Sequence, residues 1–279
     1  MVSCRMVGYV GTDRERLACA LHQLRTTLVA GQGQGYGVAH YTDDAVLLNR
    51  RPSVTTQAQP FASFVGGLHS RVVLAHTFPE EPPKVPARDL QPFKLRQWAM
   101  AMTGGLPPGE GQQEEVRLRL LDGIPDFLRR DVQGYTCAEA LFHRFLWRLH
   151  EADQLDGSRD PSGALAALRS TLEEAHAMAG ELGIQEVCGP NVITTDGHRM
   201  FVLRQGEPVA YSQRDSIPDC ELCYAGGRDE DVSFGVRESH QRFRGIFVAS
   251  DVHDFPESWQ RLEKGSALII DSSMELVVM

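Results

Sequence analysis

The chain has 279 residues, a mass of 30.9 kDa, 42% hydrophobic and 23% charged residues, and a formal net charge of −9. These values exclude an intrinsically disordered chain, a collagen-like repeat and a disulfide-stapled miniprotein. The acidic balance argues against a nucleic-acid surface, which needs clustered Lys and Arg, and against a surface for anionic lipid. There is no window of about 18 consecutive apolar residues to mark a membrane span. The first residues, Met1 to Met6, lack the basic-then-apolar layout of a secretory signal, so a cytoplasmic protein is expected. Six cysteines (Cys4, Cys19, Cys137, Cys188, Cys220 and Cys223) show no disulfide framework, and reduced thiols fit that compartment.

In chain order, Arg5 to Val10 reads as a buried strand. Thr12 or Asp13 caps a predicted helix over Arg14 to Val29, whose Leu17, Ala20, Leu21, Leu24 and Leu28 keep helical spacing. Four glycines between Gly31 and Gly37 form a turn that runs into a strand over Val38 to Tyr41. Asp43-Asp44 then turns the chain into Ala45 to Leu48, giving a hairpin. Arg71 to His76 is a central strand, Thr77 to Leu90 a Pro-rich loop, and Trp98 to Met102 another strand. A Gly-rich stretch to Gln113 is expected to be a mobile loop. Helices follow over Glu114 to Arg130 and Ala138 to Glu151, with Leu141, Phe142, Phe145, Leu146 and Leu149 on one face of the second. A polar linker spans 152–163 and a third helix Ala164 to Leu182. Strands return at Asn191 to Thr195, Arg199 to Leu203, Gly245 to Ser250 and Ala267 to Ile270. Strands, then helices, then strands imply an α+β protein with antiparallel sheets and segregated helical layers.

Several local motifs have plain structural readings. Cys220-Glu221-Leu222-Cys223 is a single C-x-x-C with neither a second pair nor a well-spaced His in the sequence, so two thiols and no metal site are expected. The Gly31 to Gly37 run lacks the Lys-Ser/Thr and the helix of a phosphate loop. Asp196-Gly197 reads as a tight hairpin turn. Glu114-Glu115 and Asp229-Glu230-Asp231 read as solvated loops or helix starts. His40, His69 and His76 are candidates to cluster in a pocket, with His76 at a strand end read first as a hydrogen-bonded core residue.

Beyond these local readings, a set of segments resembles one family. Cys4-Arg5-Met6-Val7-Gly8-Tyr9-Val10-Gly11 resembles the opening of class II glutamine amidotransferases, and more nearly their stand-alone γ-glutamyl amide hydrolase branch. Gly35-Tyr36-Gly37-Val38-Ala39-His40-Tyr41 resembles the family's early Gly-rich strand. Leu74-Ala75-His76 and Gln91-Pro92-Phe93 fall at its His-x-Arg strand and His-Pro-Phe turn, and Trp98 to Gly104 falls at its strand ending His-Asn-Gly. Gly134-Tyr135-Thr136-Cys137-Ala138-Glu139 falls at its Gly-x-Thr-Asp-Ser-Glu segment. Asn191 to Arg204 and the tail with Val248-Ala249-Ser250 and Trp259 complete the series. The matches keep family order over nearly the whole chain. They imply one domain over 1–279 with an N-terminal-nucleophile hydrolase fold: a four-layer α-β-β-α sandwich of two antiparallel sheets.

The resemblance also implies a site, and this chain departs from it. The family's nucleophile is an N-terminal Cys whose own α-amino group acts as the base. Cys4, at the nucleophile position, follows three residues and so carries an amide nitrogen, which is not a base. Phe78 stands where the resemblance places the Arg that pairs with the glutamine carboxylate, and an aromatic ring cannot replace a bidentate guanidinium. Thr103 stands for the oxyanion-hole Asn, with the Gly104 N–H retained; losing one such donor typically costs ~2.7–4 kcal/mol. Cys137 stands for the Asp that holds the substrate ammonium. Arg71 and Arg96 are candidate replacement anchors, and Arg5 is read as structural. The expectation is a vestigial pocket around Arg5, His76, Phe78, Thr103, Gly104 and Cys137, without catalysis, cofactor or metal. Such a chain would serve as a binding, scaffolding or regulatory subunit, with a protein partner or a second copy of itself, and a small ligand in the pocket. The competing expectation is an active glutaminase or γ-glutamyl amide hydrolase that uses Cys4 after N-terminal processing.

Overall fold

The computed structural model describes residues 5–23, 35–43, 45–51, 61–78, 86–104, 110–157, 160–184, 189–218, 220–224, 234–250 and 255–279. Cys4, Cys188, the Gly31 to Gly33 part of the glycine run and the 229–231 acidic run lie outside the described residues.

Thirteen strands among the described residues form two antiparallel sheets. The larger sheet contains β1 (Arg5–Gly11), β2 (Gly35–Thr42), β3 (Ala45–Arg51), β4 (Val72–Phe78), β9 (Val209–Arg214), β10 (Gly245–Ser250) and β11 (Gln260–Leu262), in the order β11-β9-β10-β1-β4-β2-β3. The smaller holds β5 (Phe93–Leu95), β6 (Trp98–Thr103), β7 (Asn191–Thr195), β8 (Arg199–Leu203), β12 (Ala267–Asp271) and β13 (Leu276–Val278), in the order β13-β12-β8-β7-β6-β5. β1 lies between β10 and β4, with Val7 opposite both Ala249 and Ala75.

Side chains alternate across each strand, and this alternation builds the layers. Met6 and Val10 of β1 join Leu74, Ala99, Ala101, Ile193, Val202 and Ile270 in an apolar layer between the sheets. Val7 and Tyr9 point the other way and pack with Leu17, Ala20, Val65, Phe243 and Phe247 under short helices. Those helices are α1 (Leu17–Gln23), α2 (Phe61–Gly66), α7 (Glu221–Tyr224) and α8 (Phe234–Arg242). On the far side, Trp98, Met100, Met102, Phe201 and Leu203 meet α3 (Glu110–Leu121), α5 (Cys137–Glu151) and α6 (Pro161–Glu181), with α4 (Asp126–Arg129) between α3 and α5. Helices therefore cover both outer faces: the four-layer α-β-β-α sandwich implied by the sequence is present.

The strands with unbroken apolar runs keep their expected bounds. Asn191–Thr195, Arg199–Leu203 and Gly245–Ser250 match to the residue. Other elements differ, each for a local reason. The first helix starts as a 3-10 turn at Arg14–Arg16, capped by the Asp13 carboxylate, which accepts from the Glu15 N–H. β2 starts at Gly35 because Gly35 and Tyr36 pair with Phe78 and Thr77, which also carries β4 two residues into the expected loop. α3 starts at Glu110, inside the stretch expected to be a loop. The single helix expected to reach Arg130 breaks at Gly123-Ile124-Pro125, because Pro disfavours helical backbone in the residue before it. α6 starts at Pro161, inside the expected linker, with Asp160 accepting from the N–H groups of Ser162 and Gly163. The short elements β5, β9, β11, β13, α2, α7 and α8 had no expectation, since runs this brief carry little periodic signal.

The β7–β8 hairpin turns at Gly197, as Asp196-Gly197 suggests. Its φ is +87°, and the Asp196 carboxylate accepts from the N–H groups of His198 and Arg199. A Cβ at Gly197 would stand 2.5 Å from the Tyr41 ring, whose hydroxyl lies 2.6 Å from the Gln97 carbonyl and 3.0 Å from the Thr195 carbonyl and shares its one proton between them. Gly197→Ala is therefore expected to combine left-handed strain with a clash and destabilise by more than ~1 kcal/mol, read as a lowered urea midpoint at unchanged slope. An unchanged midpoint would contradict this account.

Candidate functional site

The sequence-derived site falls at one end of the sandwich, where β1 begins and β4 and β6 end. Arg5 starts β1 opposite Thr77, and Met6 lies opposite His76. The Met6 N–H donates to Ser250 Oγ at 3.0 Å, fixing the start of β1 against β10. Phe78 closes β4 opposite Gly35.

His76 lies on the same face of β4 as Leu74 and points into the layer between the sheets. Burial pushes its imidazole down to about 4, against a hydrogen bond to the Met102 backbone that acts in the opposite direction. The ring is neutral at pH 7 and is buried where β4 of one sheet faces β6 of the other. Gln91 clamps the same residue: its amide donates to the Met102 carbonyl at 3.0 Å and accepts from the Met102 N–H at 2.6 Å. β6 then ends at Thr103, which is buried opposite Asn191, and at Gly104 with φ +88°.

Cys137 belongs to the outer helical layer at the start of α5. The Thr136 hydroxyl caps this helix by accepting from the Glu139 N–H, and the Glu139 carboxylate reaches back to accept from the N–H groups of Gln133 and Gly134. A Cβ at Gly134 would sit 2.1 Å from Asp89 Oδ1, which itself accepts from the Tyr135 N–H, so a larger residue there would displace the Asp89 carboxylate. The Cys137 thiol donates to the Gln113 carbonyl at 3.0 Å. Burial pushes it up to about 11, with Arg117 pulling weakly the other way, so it carries no charge at pH 7. Beside it Tyr135 is two-thirds exposed, with the guanidinium carbons of Arg88 and Arg117 at 5.2 and 5.5 Å from its ring centre.

The structure thus brings Arg5, His76, Thr103 and Gly104 to one end of the sheets. Other sequence candidates do not join them. His40 lies on the outer face of β2, opposite in sense to Ala39 and Tyr41, and burial lowers its pKa. His69 is exposed and pairs with Glu15 at 2.9 Å. The expected histidine cluster is therefore not formed: odd and even strand positions face opposite ways. Arg71 precedes β4, and at ~3.3 Å per residue it stands about 23 Å along the strand from Phe78. Arg96 occupies the β5–β6 turn at the far end of β6 from Thr103 and pairs with Asp156. Neither replaces a carboxylate anchor. Sequence reading passed over Gln91 as a clamp, and only its place before Pro92 hinted at it.

No family model matches the chain. No curated protein matches it either. Solved structures do resemble it. A glutamine aminotransferase class-II domain protein from Silicibacter pomeroyi shares 19% identity at TM-score 0.59, over 99% of this chain and 98% of the other. A predicted glutamine amidotransferase from Pseudomonas aeruginosa shares 19% identity at TM-score 0.57, over 99% and 96%. The glutamine phosphoribosylpyrophosphate amidotransferase of Bacillus subtilis shares 15% identity at TM-score 0.53, over 99% of this chain but 49% of its own. The likeness is one of fold: the chain has the N-terminal-nucleophile hydrolase sandwich of class II glutamine amidotransferase domains. No helix among the described residues is long and apolar enough to cross a membrane.

Proposed function

We propose that this protein is a catalytically degenerate relative of class II glutamine amidotransferases that works as a binding, scaffolding or regulatory subunit. The observation that carries the reading is Cys137. At the position that the resemblance assigns to the ammonium-holding carboxylate, the chain has an uncharged thiol whose proton is spent on the Gln113 carbonyl. His76 is likewise neutral and fully buried. A zwitterionic glutamine needs both of its charged ends met, and a neutral thiol in place of the carboxylate leaves the ammonium end without that partner, at a cost of several kcal/mol. A less polar small molecule suits such a pocket better. The exposed Tyr135 face between Arg88 and Arg117 supplies an aromatic contact of the kind that protein partners use.

The test is intact mass before and after excess 6-diazo-5-oxo-norleucine, a glutamine-shaped thiol trap, alongside ammonia release from glutamine. No adduct and no ammonia are expected. One adduct localised to Cys4 together with glutaminase turnover would overturn the reading and establish a processed thiol hydrolase.

A further inference from the structure

On the outer face of the larger sheet, remote from the end just described, the fold gathers residues that are far apart in the chain. Cys19 lies on α1, Cys220 immediately before α7, Cys223 within α7, and His240 on α8. Their three sulfur atoms and an imidazole nitrogen all lie within 4.8 Å of one another. Cys19, Cys220 and His240 are buried and Cys223 is half-buried. The sequence reading expected a lone pair of thiols here; the structure adds the third sulfur and the imidazole.

We propose that Cys19, Cys220, Cys223 and His240 form a structural zinc site. Three thiolates and one imidazole are a standard closed tetrahedral ligand set for this ion, and the soft sulfur donors select it over calcium or magnesium. The spacing fits. Cys19 Sγ and Cys223 Sγ are 3.6 Å apart. Two sulfurs bound to one zinc at ~2.3 Å in tetrahedral geometry would be separated by about 3.8 Å. The same distance is far beyond the ~2.05 Å of a disulfide. The imidazole is oriented as ligand histidines usually are. Its Nδ1 is 2.7 Å from the Val236 carbonyl, which requires the proton on Nδ1 and leaves the lone pair on Nε2.

The surroundings agree. Without a cation the cluster is a poor place for charge, because three thiols crowd together largely out of water. A bound divalent ion reverses this and deprotonates coordinating thiols outright. Three thiolates around zinc leave one net negative charge, and the Arg16 guanidinium lies 4.0 Å from Cys223 Sγ to offset it. His22 meets Glu221 at 3.0 Å and holds α1 against α7 from outside. The site also has a clear structural purpose. The helices over this face are only seven, six, four and nine residues long. Such helices bury little apolar surface and are marginal alone. A metal joining α1 to α7 and α8 would fasten an N-terminal segment to one more than 200 residues later, and binding energy at a site absent from the unfolded chain is folding energy.

The experiment is elemental analysis of the full chain purified without chelator, with cobalt(II) substitution of the chelated protein. One zinc per chain is expected, with the thiolate charge-transfer and intense d–d bands of tetrahedral cobalt. Cys223→Ser, at the most exposed ligand, should lower bound zinc at least tenfold, whereas His240→Cys should keep the metal and shift the cobalt bands. Cys137→Ser should leave the stoichiometry unchanged, which separates this site from the vestigial pocket. If Cys223→Ser does not fold, the wild-type stoichiometry and cobalt spectrum decide. A folded wild-type chain without zinc, a different metal, a mass two hydrogens light from a disulfide, or full zinc retention in folded Cys223→Ser would each overturn the proposal.

Discussion

Acidification from pH 7 to pH 4 is expected to remove a large part of the stability of the folded chain, with His76 and His143 the largest contributors and His40 and Glu174 adding in the same sense. Burial holds His76 and His143 down to about 4, in each case against a backbone hydrogen bond that favours the charged ring. An unfolded histidine titrates near 6.5. Below that value the unfolded state binds protons that the folded state refuses, so stability rises with pH across this window and is lost as pH falls from about 6.5 toward 4. A shift of this size corresponds to roughly 3 kcal/mol per ring, and domains are typically stable by only ~5–15 kcal/mol. Glu139 works in the opposite sense: burial raises its carboxyl, so its protonation favours the folded state at the acid end. The measurement is the urea midpoint at a series of pH values. His76→Gln and His143→Gln, each replacing a titrating ring with a neutral amide, should each flatten the acid limb. An acid limb unchanged in both variants would sink the assignment.

The second large effect is Arg144→Ala, expected to cost about 3–5 kcal/mol. Arg144 is nearly buried on α5 and forks onto both oxygens of Glu174 on α6. It also donates to the Asp122 carbonyl at 2.8 Å and covers the Trp147 ring, 4.4 Å from its centre. Burial alone would raise the Glu174 carboxyl, but the hydrogen bonds from Arg144 and Arg148 outweigh it and hold it below the usual range. Truncation leaves that carboxylate with Arg148 alone and the Asp122 carbonyl short of a donor. Arg144→Lys should recover little, because an ammonium cannot grip two oxygens in the plane of the carboxylate. A double replacement, Arg144→Met with Glu174→Leu, should recover most of the loss, since a buried ion pair exchanged for apolar groups of similar volume is often neutral. Thermal or urea unfolding of the three variants reads this directly. An Arg144→Ala chain as stable as the parent would show that the pair contributes little.

Strands buried on both faces were legible in the sequence because their apolar runs are continuous and bounded by turn residues. Ile193 and Val202 face one way and Val192 and Leu203 the other, and all four are fully buried. The α5 helix was legible through its apolar stripe, and the structure adds the Thr136 cap. Three-residue strands such as Phe93–Leu95 were not, since their order comes from pairing with β6 and not from their own composition. The break at Pro125 lay within reach of sequence rules, whereas the start of α3 at Glu110, behind a glycine-rich stretch, did not.

The same division runs through the candidate sites. Residue order and type are enough to imply antiparallel sheets with segregated helical layers, because alternation and turn chemistry are local properties of the chain; the two-sheet sandwich and a vestigial pocket at Phe78, Thr103 and Cys137 are what the family resemblance implied. Face and proximity are not local. Whether His40 and His76 meet depends on strand register, and an odd-even difference sends them to opposite sides of the larger sheet. Whether Cys220 and Cys223 are a bare pair or half of a four-ligand cluster depends on how α1 and α8 pack over that sheet. That packing brings Cys19, some 200 residues earlier in the chain, and His240, on the helix that follows them, to within 4.8 Å.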